Sequence, residues 1–423
     1  MTSPDPTAFD ASDSGASAPH PAGTAGPLLG DEPLDAVDLV LALVAARIPP
    51  APPPGLDREV DWDRFLRLLK AHGIQGLAMA THRSDPFLPE SVARRLEEPH
   101  VRTALHTTLT VETGARARRV LGERGIPALL FKGAALVEAG LYRDPGARAM
   151  GDADLLVRPD DAHDAVAALR EEGFDPWSPW DPASAEWLDS ASLSDLRAPD
   201  GVEVSLDLHW RLGYERLRYG RSGRGGILWE GADLDEGRPA DSTHLVVLLE
   251  HLLKHLHVTS HVRGIGDAVR LSDSVEDWES VWDHLTDRPT GRALALLLDV
   301  LRTRLGAAVP SEVGALAERG WWRSMGRRVL DPRRMVMDGA ESSGSSEEAR
   351  TRGLLRRWAV LGSPRSALRE ALHTILPGRG WLRARYDAPA ASRFRLLFRY
   401  WKDVTRWLRG RGSSPVSPNQ GPW

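Results

Sequence analysis

The chain has 423 residues, 42% hydrophobic and 27% charged, which is room for two or three domains with real cores and an ordinary balance for a soluble globular protein. It contains no cysteine, which excludes disulfides, thiolate zinc centres and cysteine nucleophiles; no apolar stretch approaches the ~20 residues that span a bilayer, and the N-terminus shows no early basic residues or apolar h-region, so a cytoplasmic protein is expected. The net charge of −5 hides an asymmetry: Thr351 to Arg411 carries fifteen Arg or Lys against three acids, leaving −17 on the rest, an acidic body with a basic tail.

Residues 1–30 are rich in Ser, Pro, Ala, Gly and Asp and are expected to be disordered. A helical subdomain is expected over 31–115. Its periodicity begins near Leu34, pauses at the stiff run Pro49 to Gly55, and resumes with Trp62, Phe65, Leu68 and Leu69 at three- and four-residue steps. A long helix is expected to follow Glu97 and to end at Gly125.

The texture then changes, and a mixed α/β (α+β) core is expected over 116–215. Pro127 to Phe131 reads as a short buried strand ending at Lys132-Gly133, followed by a helical segment to about Gly140. Asp152 to Val157 reads as a second strand. Asp160 or Asp161 then caps a helix over Ala162 to Glu172, closed by Gly173. Leu193–Ala198 and Val202–Trp210 flank the turn Pro199-Asp200-Gly201 and read as a hairpin. A second helical subdomain is expected over 240–340, with a loop at Ser342 to Ser346. A basic, aromatic-rich region at 350–411 and a disordered tail at 412–423 complete the expected organisation.

The chemistry concentrates at Arg148 to Val157, RAMGDADLLV. A strand has a side-chain period of two, so Asp152 and Asp154 share one face. Two adjacent carboxylates repel and are costly to half-bury unless a cation lies between them. A hard divalent ion with positions open for phosphate relieves that repulsion, which points to phosphoryl or nucleotidyl transfer. In Val202–Trp210 the apolar Val204, Leu206 and Leu208 share one face, while Glu203, Ser205, Asp207 and His209 share the other. An acid in mid-strand beside Leu206 and Leu208 suggests a partly buried carboxylate. Set beside the first pair, Asp207 completes a three-carboxylate cluster of the kind that holds two Mg²⁺ ions ~3.5–4 Å apart.

Taken together, FKGAAL, then YRDPGARAMGDADLLV, then VSLDLHW resemble the bacterial uncharacterised nucleotidyltransferase-like family of the DNA polymerase beta-type superfamily. The resemblance is strongest over about 125–210 and continues through flanking helices over about 34–309. It implies a nucleotidyltransferase core with a mixed sheet, flanked by N- and C-terminal helical regions. Asp152 and Asp154 then become the metal-binding pair, and Asp207 the third carboxylate, positioned to polarise an acceptor hydroxyl. Lys132 and Gly133 fall where the superfamily places a Gly-Ser turn that holds the triphosphate. The chain departs from that pattern by having Lys-Gly, and by nineteen positions between Gly133 and Asp152. Arg148 is expected either to reach the triphosphate or to brace the acidic pair, or else to form a structural salt bridge.

The implied reaction is Mg²⁺-dependent transfer of a nucleoside monophosphate from an NTP, with ATP the expected donor, to a hydroxyl of an unidentified protein or small-molecule acceptor. The rival is a non-catalytic nucleotide-binding adaptor or sensor that retains the fold.

Three further features have structural readings beside functional ones. His209 either orients Asp207, contacts substrate or is structural, and Trp210 is expected in the core. His251, His255, His257 and His261, with Glu250, include an i, i+4 pair compatible with zinc, but without H-E-x-x-H or an identifiable third ligand. By the resemblance, His251, Arg263 and Asp267 either contact the nucleotide or tie the domains together, and tying is the expectation. The basic tail interleaves Trp358, Trp381, Phe394, Phe398, Tyr400, Trp401 and Trp407 with arginine. A helix over 393–409, with Leu397, Tyr400, Trp401, Val404 and Leu408 on one apolar side, is expected to dock on the acidic body. An anionic membrane surface or nucleic acid is the alternative partner.

Overall fold

The computed structural model describes residues 35–45, 60–177, 190–199, 202–212, 226–254, 261–286, 290–317, 322–341, 376, 382, 386 and 392–408. The tails expected at 1–30 and 412–423, the proline run at 49–55, the Ser342–Ser346 loop, His255 and His257 lie outside these residues.

Helix α1 (Ala36–Val44) starts where the Asp35 carboxylate accepts the amides of Val37 and Asp38 at 2.8 and 2.9 Å. Helix α2 (Trp62–His72) is capped by Asp61 and closed by Gly73, whose φ of 62° suits a residue without a Cβ. Helix α3 (Gln75–Ser84) leads into α4 (Glu90–Glu123), a helix of 34 residues. It begins at Glu90, eight residues before the start that the sequence pattern suggests, and Pro99 sits inside it. A proline in a helix interior costs about 3 kcal/mol in isolation. The buried line Val92, Ala93, Leu96 and His100 straddles it and carries the helix through. The 115/116 boundary of the sequence reading therefore falls within one continuous helix.

Strand β1 (Ala128–Phe131) is wholly buried and runs directly into α5 (Lys132–Glu138). Strand β2 (Asp152–Val157), helix α6 (Ala162–Glu171), β3 (Phe174–Pro176), β4 (Ser190–Asp195) and β5 (Ser205–His209) complete the α+β core. The strand order is β1-β2-β5-β4-β3, with β2 and β5 parallel and the other neighbours antiparallel, so the sheet is mixed. The hairpin strands β4 and β5 are present, but β4 starts three residues before the expected Leu193 and ends three before Ala198, β5 is shorter than the expected Val202–Trp210, and β3 has too few residues to show a period.

A helical region follows: α7 (Asp241–Lys254), α8 (His261–Ser274), α9 (Trp278–Thr286), α10 (Gly291–Leu305), α11 (Ser311–Ala317), α12 (Trp322–Val329) and α13 (Pro332–Glu341). Near the end of the chain lies α14 (Arg393–Leu408).

The sheet separates two apolar clusters. On one face Ala153, Leu155, Leu206 and Leu208 pack with Ala117 and Leu121 of α4 and with Ala165, Val166 and Leu169 of α6; Trp210 is fully buried there. On the other face Leu129, Phe131 and Leu156 join a larger core shared with α1, α2, α3, α7, α8 and α10. Strand alternation puts Asp152 and Asp154 on this second face, at the end of β2 beyond Leu156. The acids thus lie where the sheet meets the helical core, not on an open surface.

Candidate functional site

Parallel pairing sets Asp154 beside Asp207 and Asp152 beside Ser205, so the three carboxylates stand on one face of two adjacent strands. Asp154 and Asp207 are 5% and 6% exposed, and Asp152 is half-buried. Asp152 shares a hydrogen bond with Asp207, which also interacts with Ser192 across the β4–β5 pair. One oxygen each of Asp154 and Asp207 and one ring nitrogen of His209 lie within 4.8 Å of one another.

Lys132 enters this cluster from the end of β1. Its ammonium lies 2.5 Å from Asp154 Oδ1, and His209 Nε2 meets the same oxygen at 3.0 Å. The histidine thus braces Asp154, where the sequence pattern linked it with Asp207. Phe131 stacks edge-on against the imidazole with ring centroids 5.2 Å apart.

Lys132 is the sole described non-glycine residue with positive φ, at 55°. An L-residue in that conformation costs roughly 1–2 kcal/mol and persists only where its surroundings fix it. The fixing partner is His244 of α7, whose Nε2 lies 2.8 Å from the Lys132 backbone nitrogen. An amide N–H only donates, so Nε2 is the acceptor and the imidazole is neutral. Burial pushes the His244 pKa down to about 4, in keeping with that state. His244 comes from an element 112 residues away and carries no local motif, so nothing in the sequence pattern singles it out.

Electrostatics divide the acids. Burial opposes ionisation of Asp154, but the Lys132 ammonium and His209 outweigh it and hold its pKa down at about 2. Burial raises Asp152 to about 7, helped by the charges of Asp154 and Asp207. Asp207 is raised by burial and then by Asp154. Burial also works against the charge on Lys132, yet Asp154 and Asp152 overcome it and its pKa rises. The face therefore carries more negative potential than one lysine neutralises, and it already draws a cation into its centre. Buried oxygen donors from two strands, a nitrogen donor beside them and a protein cation drawn among them fit a divalent metal ion.

Arg148 is close by but does not brace the acidic pair. Its Nε and Nη2 reach the two oxygens of Asp267 in α8 at 2.8 and 2.7 Å, a bidentate pair with the carboxylate 2% exposed. Tyr142 donates to the same carboxylate at 2.7 Å. Arg263 donates to the Ala149 carbonyl at 2.8 Å; burial, then the neighbouring Arg148, lowers its pKa. Asp267 thus ties the loop before β2 to the helical region. A Cβ at Gly133 would come within 3.1 Å of Arg148 Nη2, so the glycine lets the guanidinium pack against the start of α5. His251 lies on α7, and the His261 side chain is outside the described residues, so the only group of three or more metal-type ligands among the described residues is Asp154, Asp207 and His209.

No curated protein and no solved structure matches the chain. A family model does, over residues 58–306, which takes in the whole sheet, Lys132, the three carboxylates, His244 and Asp267. That match spans more than half of the chain and contains the cluster described above, and it shows that the chain belongs to the uncharacterised nucleotidyltransferase family.

Proposed function

We propose that this nucleotidyltransferase moves a nucleoside monophosphate from an NTP, with ATP the expected donor, to a hydroxyl of a protein or small-molecule acceptor, in a Mg²⁺-dependent reaction. The observation that carries the reading is the meeting of Asp152, Asp154 and Asp207 on one face of β2 and β5, with the Lys132 ammonium drawn in at Asp154. Asp152, Asp154 and Asp207 would hold the metal, with two Mg²⁺ ions expected, and His209 Nε2 offers a further donor. A divalent cation bound there supplies charge neutralisation for the phosphates and lowers the cost of an attacking alkoxide.

The chain's own residues do the rest. The acceptor oxygen attacks the α-phosphorus, the bond to the bridging oxygen breaks, and pyrophosphate leaves with that electron pair. Asp207 takes the hydroxyl proton. Lys132, once Asp154 has another counter-charge, turns its ammonium to the β- or γ-phosphate, and Gly133, in the first turn of α5, offers its backbone amide to that phosphate. Arg148 acts through position and charge, since Asp267 holds its guanidinium. The neutral His244 keeps Lys132 in the one backbone conformation that aims its side chain at the acids.

Cell extract incubated with α-labelled and with γ-labelled ATP tests the reading. Label should pass to an acceptor from the α position only, with pyrophosphate released, and Asp152→Asn should abolish transfer while leaving the fold intact. Transfer that survives in Asp152→Asn overturns the metal assignment. One observation favours the adaptor reading: Lys132 already neutralises Asp154. Calorimetry separates the two, because an adaptor neither binds ATP in a Mg²⁺-dependent way nor releases pyrophosphate.

A further inference from the structure

Helix α14 has three distinct faces. At 3.6 residues per turn, Leu396 and Tyr400 fall on one of them and are buried with Leu382, while Leu397 and Val404 pack partly at its edge. The hydroxyl of Tyr386 donates to Asp403 at 2.8 Å on that inner side, and Arg399 sits 4.5 Å from the Tyr386 ring centroid. Asp403, the single acid of the helix, is therefore half-buried and turned inward.

A second face carries Phe394, Phe398 and Trp401, which are 84%, 72% and 38% exposed. Their three- and four-residue spacing makes them one continuous stripe. The third face carries Arg395, Arg399, Lys402 and Arg406, all exposed. Trp401 thus lies off the buried side, where the sequence pattern had grouped it with Tyr400. The inner face already meets the need of an amphipathic helix for apolar cover, so the aromatic stripe is surplus to the fold. Large exposed aromatics in a row mark an interaction surface.

We propose that α14 is a peripheral membrane-contact element that lies flat on an anionic bilayer. Phe394, Phe398 and Trp401 enter the boundary between headgroups and acyl chains, and the four cations lie over anionic headgroups. The chemistry of the stripe selects this partner. Aromatic rings on one face and cations on the next match a planar boundary between apolar and anionic layers. A single-stranded nucleic acid needs cations and stacking rings interleaved on the same face. No described helix is long and apolar enough to cross a membrane, so the contact is one of surface. A surface location would hold the nucleotidyl-transfer site near an acceptor confined to that membrane, and it stands independently of which acceptor that is.

Co-sedimentation of the full chain with vesicles tests the proposal. The protein should pellet with phosphatidylcholine vesicles containing phosphatidylglycerol and stay in solution with pure phosphatidylcholine. Binding should weaken at least tenfold in the variant Phe394→Ser, Phe398→Ser, Trp401→Ser, and by a similar factor in Arg395→Gln, Arg399→Gln, Lys402→Gln, Arg406→Gln. A fluorescence measurement needs no disruptive change: brominated lipid should quench part of the tryptophan emission of the wild type, and Trp401→Phe should remove that part. Vesicle binding unchanged in the aromatic variant overturns the proposal. So does a wild type that ignores anionic vesicles but shifts an RNA or DNA oligonucleotide, or one whose aromatic variant changes only the oligomeric state.

Discussion

Replacing Lys132 by Met keeps the length of the side chain and removes its charge. The Lys132 side chain is 19% exposed and the Asp154 side chain 7%, so the pair is largely shielded from water. Removing one partner of such a pair strands the other charge, at a cost of about 3–5 kcal/mol in buried cases. His209 remains on Asp154, so the lower end of that range applies, about 3 kcal/mol in the presence of EDTA. Saturating Mg²⁺ should restore most of this, because a divalent ion takes over the neutralising role and binds only the folded state. The deficit should also shrink as pH falls: without the lysine, Asp154 regains a raised pKa and escapes the penalty by protonation. Lys132→Gly and Lys132→Ala separate charge from backbone. Both lose the ion pair, but at a φ of 55° only alanine keeps the strain, so glycine should be the more stable of the two by about 1 kcal/mol. Urea unfolding followed by circular dichroism, with EDTA or Mg²⁺, reads all of these. Equal destabilisation of Lys132→Met under both conditions would refute the idea that the lysine stands in the place of a metal.

Asp267→Ala should destabilise the fold by about 3–5 kcal/mol in urea titration, since it leaves Arg148 buried beside Arg263 with no carboxylate between them. Asp267→Leu combined with Arg148→Met should cost clearly less than the two single changes added together, and strict additivity would show that the pair is not coupled. Gly76→Ala should cost more than about 2 kcal/mol, because its methyl group would overlap the Gly146 carbonyl where α3 meets the loop before β2; a wild-type melting temperature would contradict that contact. His244 gives a pH dependence. Its folded pKa of about 4 lies below the unfolded value near 6.5, so its neutral form supports the fold fully above that value and the support is lost as pH falls towards 4. The loss amounts to about 3 kcal/mol over that window, and His244→Gln should flatten the acid limb of the stability profile.

Much of the acidic cluster was legible because strand alternation is a local rule. It put Asp152 with Asp154, and Asp207 opposite Leu206 and Leu208, before any pairing was known. The parallel register that sets Asp154 beside Asp207 is a long-range choice, and only the motif blocks taken together anticipated it. His244 and Asp267 escape a local reading for the same reason: their roles come from helices more than a hundred residues from the groups they hold. Asp267 entered through the resemblance alone, and His244 not at all. Arg148 shows the limit of spacing arguments. Four residues from Asp152, it reads equally as a triphosphate contact, a brace for the acids or a structural salt bridge, and only the fold shows the last of these, a bidentate pair with the buried carboxylate of α8. Trp401 falls one step around α14 from Tyr400, and periodicity alone did not tell the buried face from the exposed one.

Titration with Mn²⁺ followed by electron paramagnetic resonance tests the central claim most directly, because it observes a cation at the acids without need of a known acceptor. The wild-type chain should deplete the free-ion signal, with ATP tightening the binding, and Asp154→Asn and Asp207→Asn should each weaken it by tenfold or more while unfolding as cooperatively as the wild type. If both variants take up Mn²⁺ as the wild type does, the carboxylates of β2 and β5 are not where the metal binds.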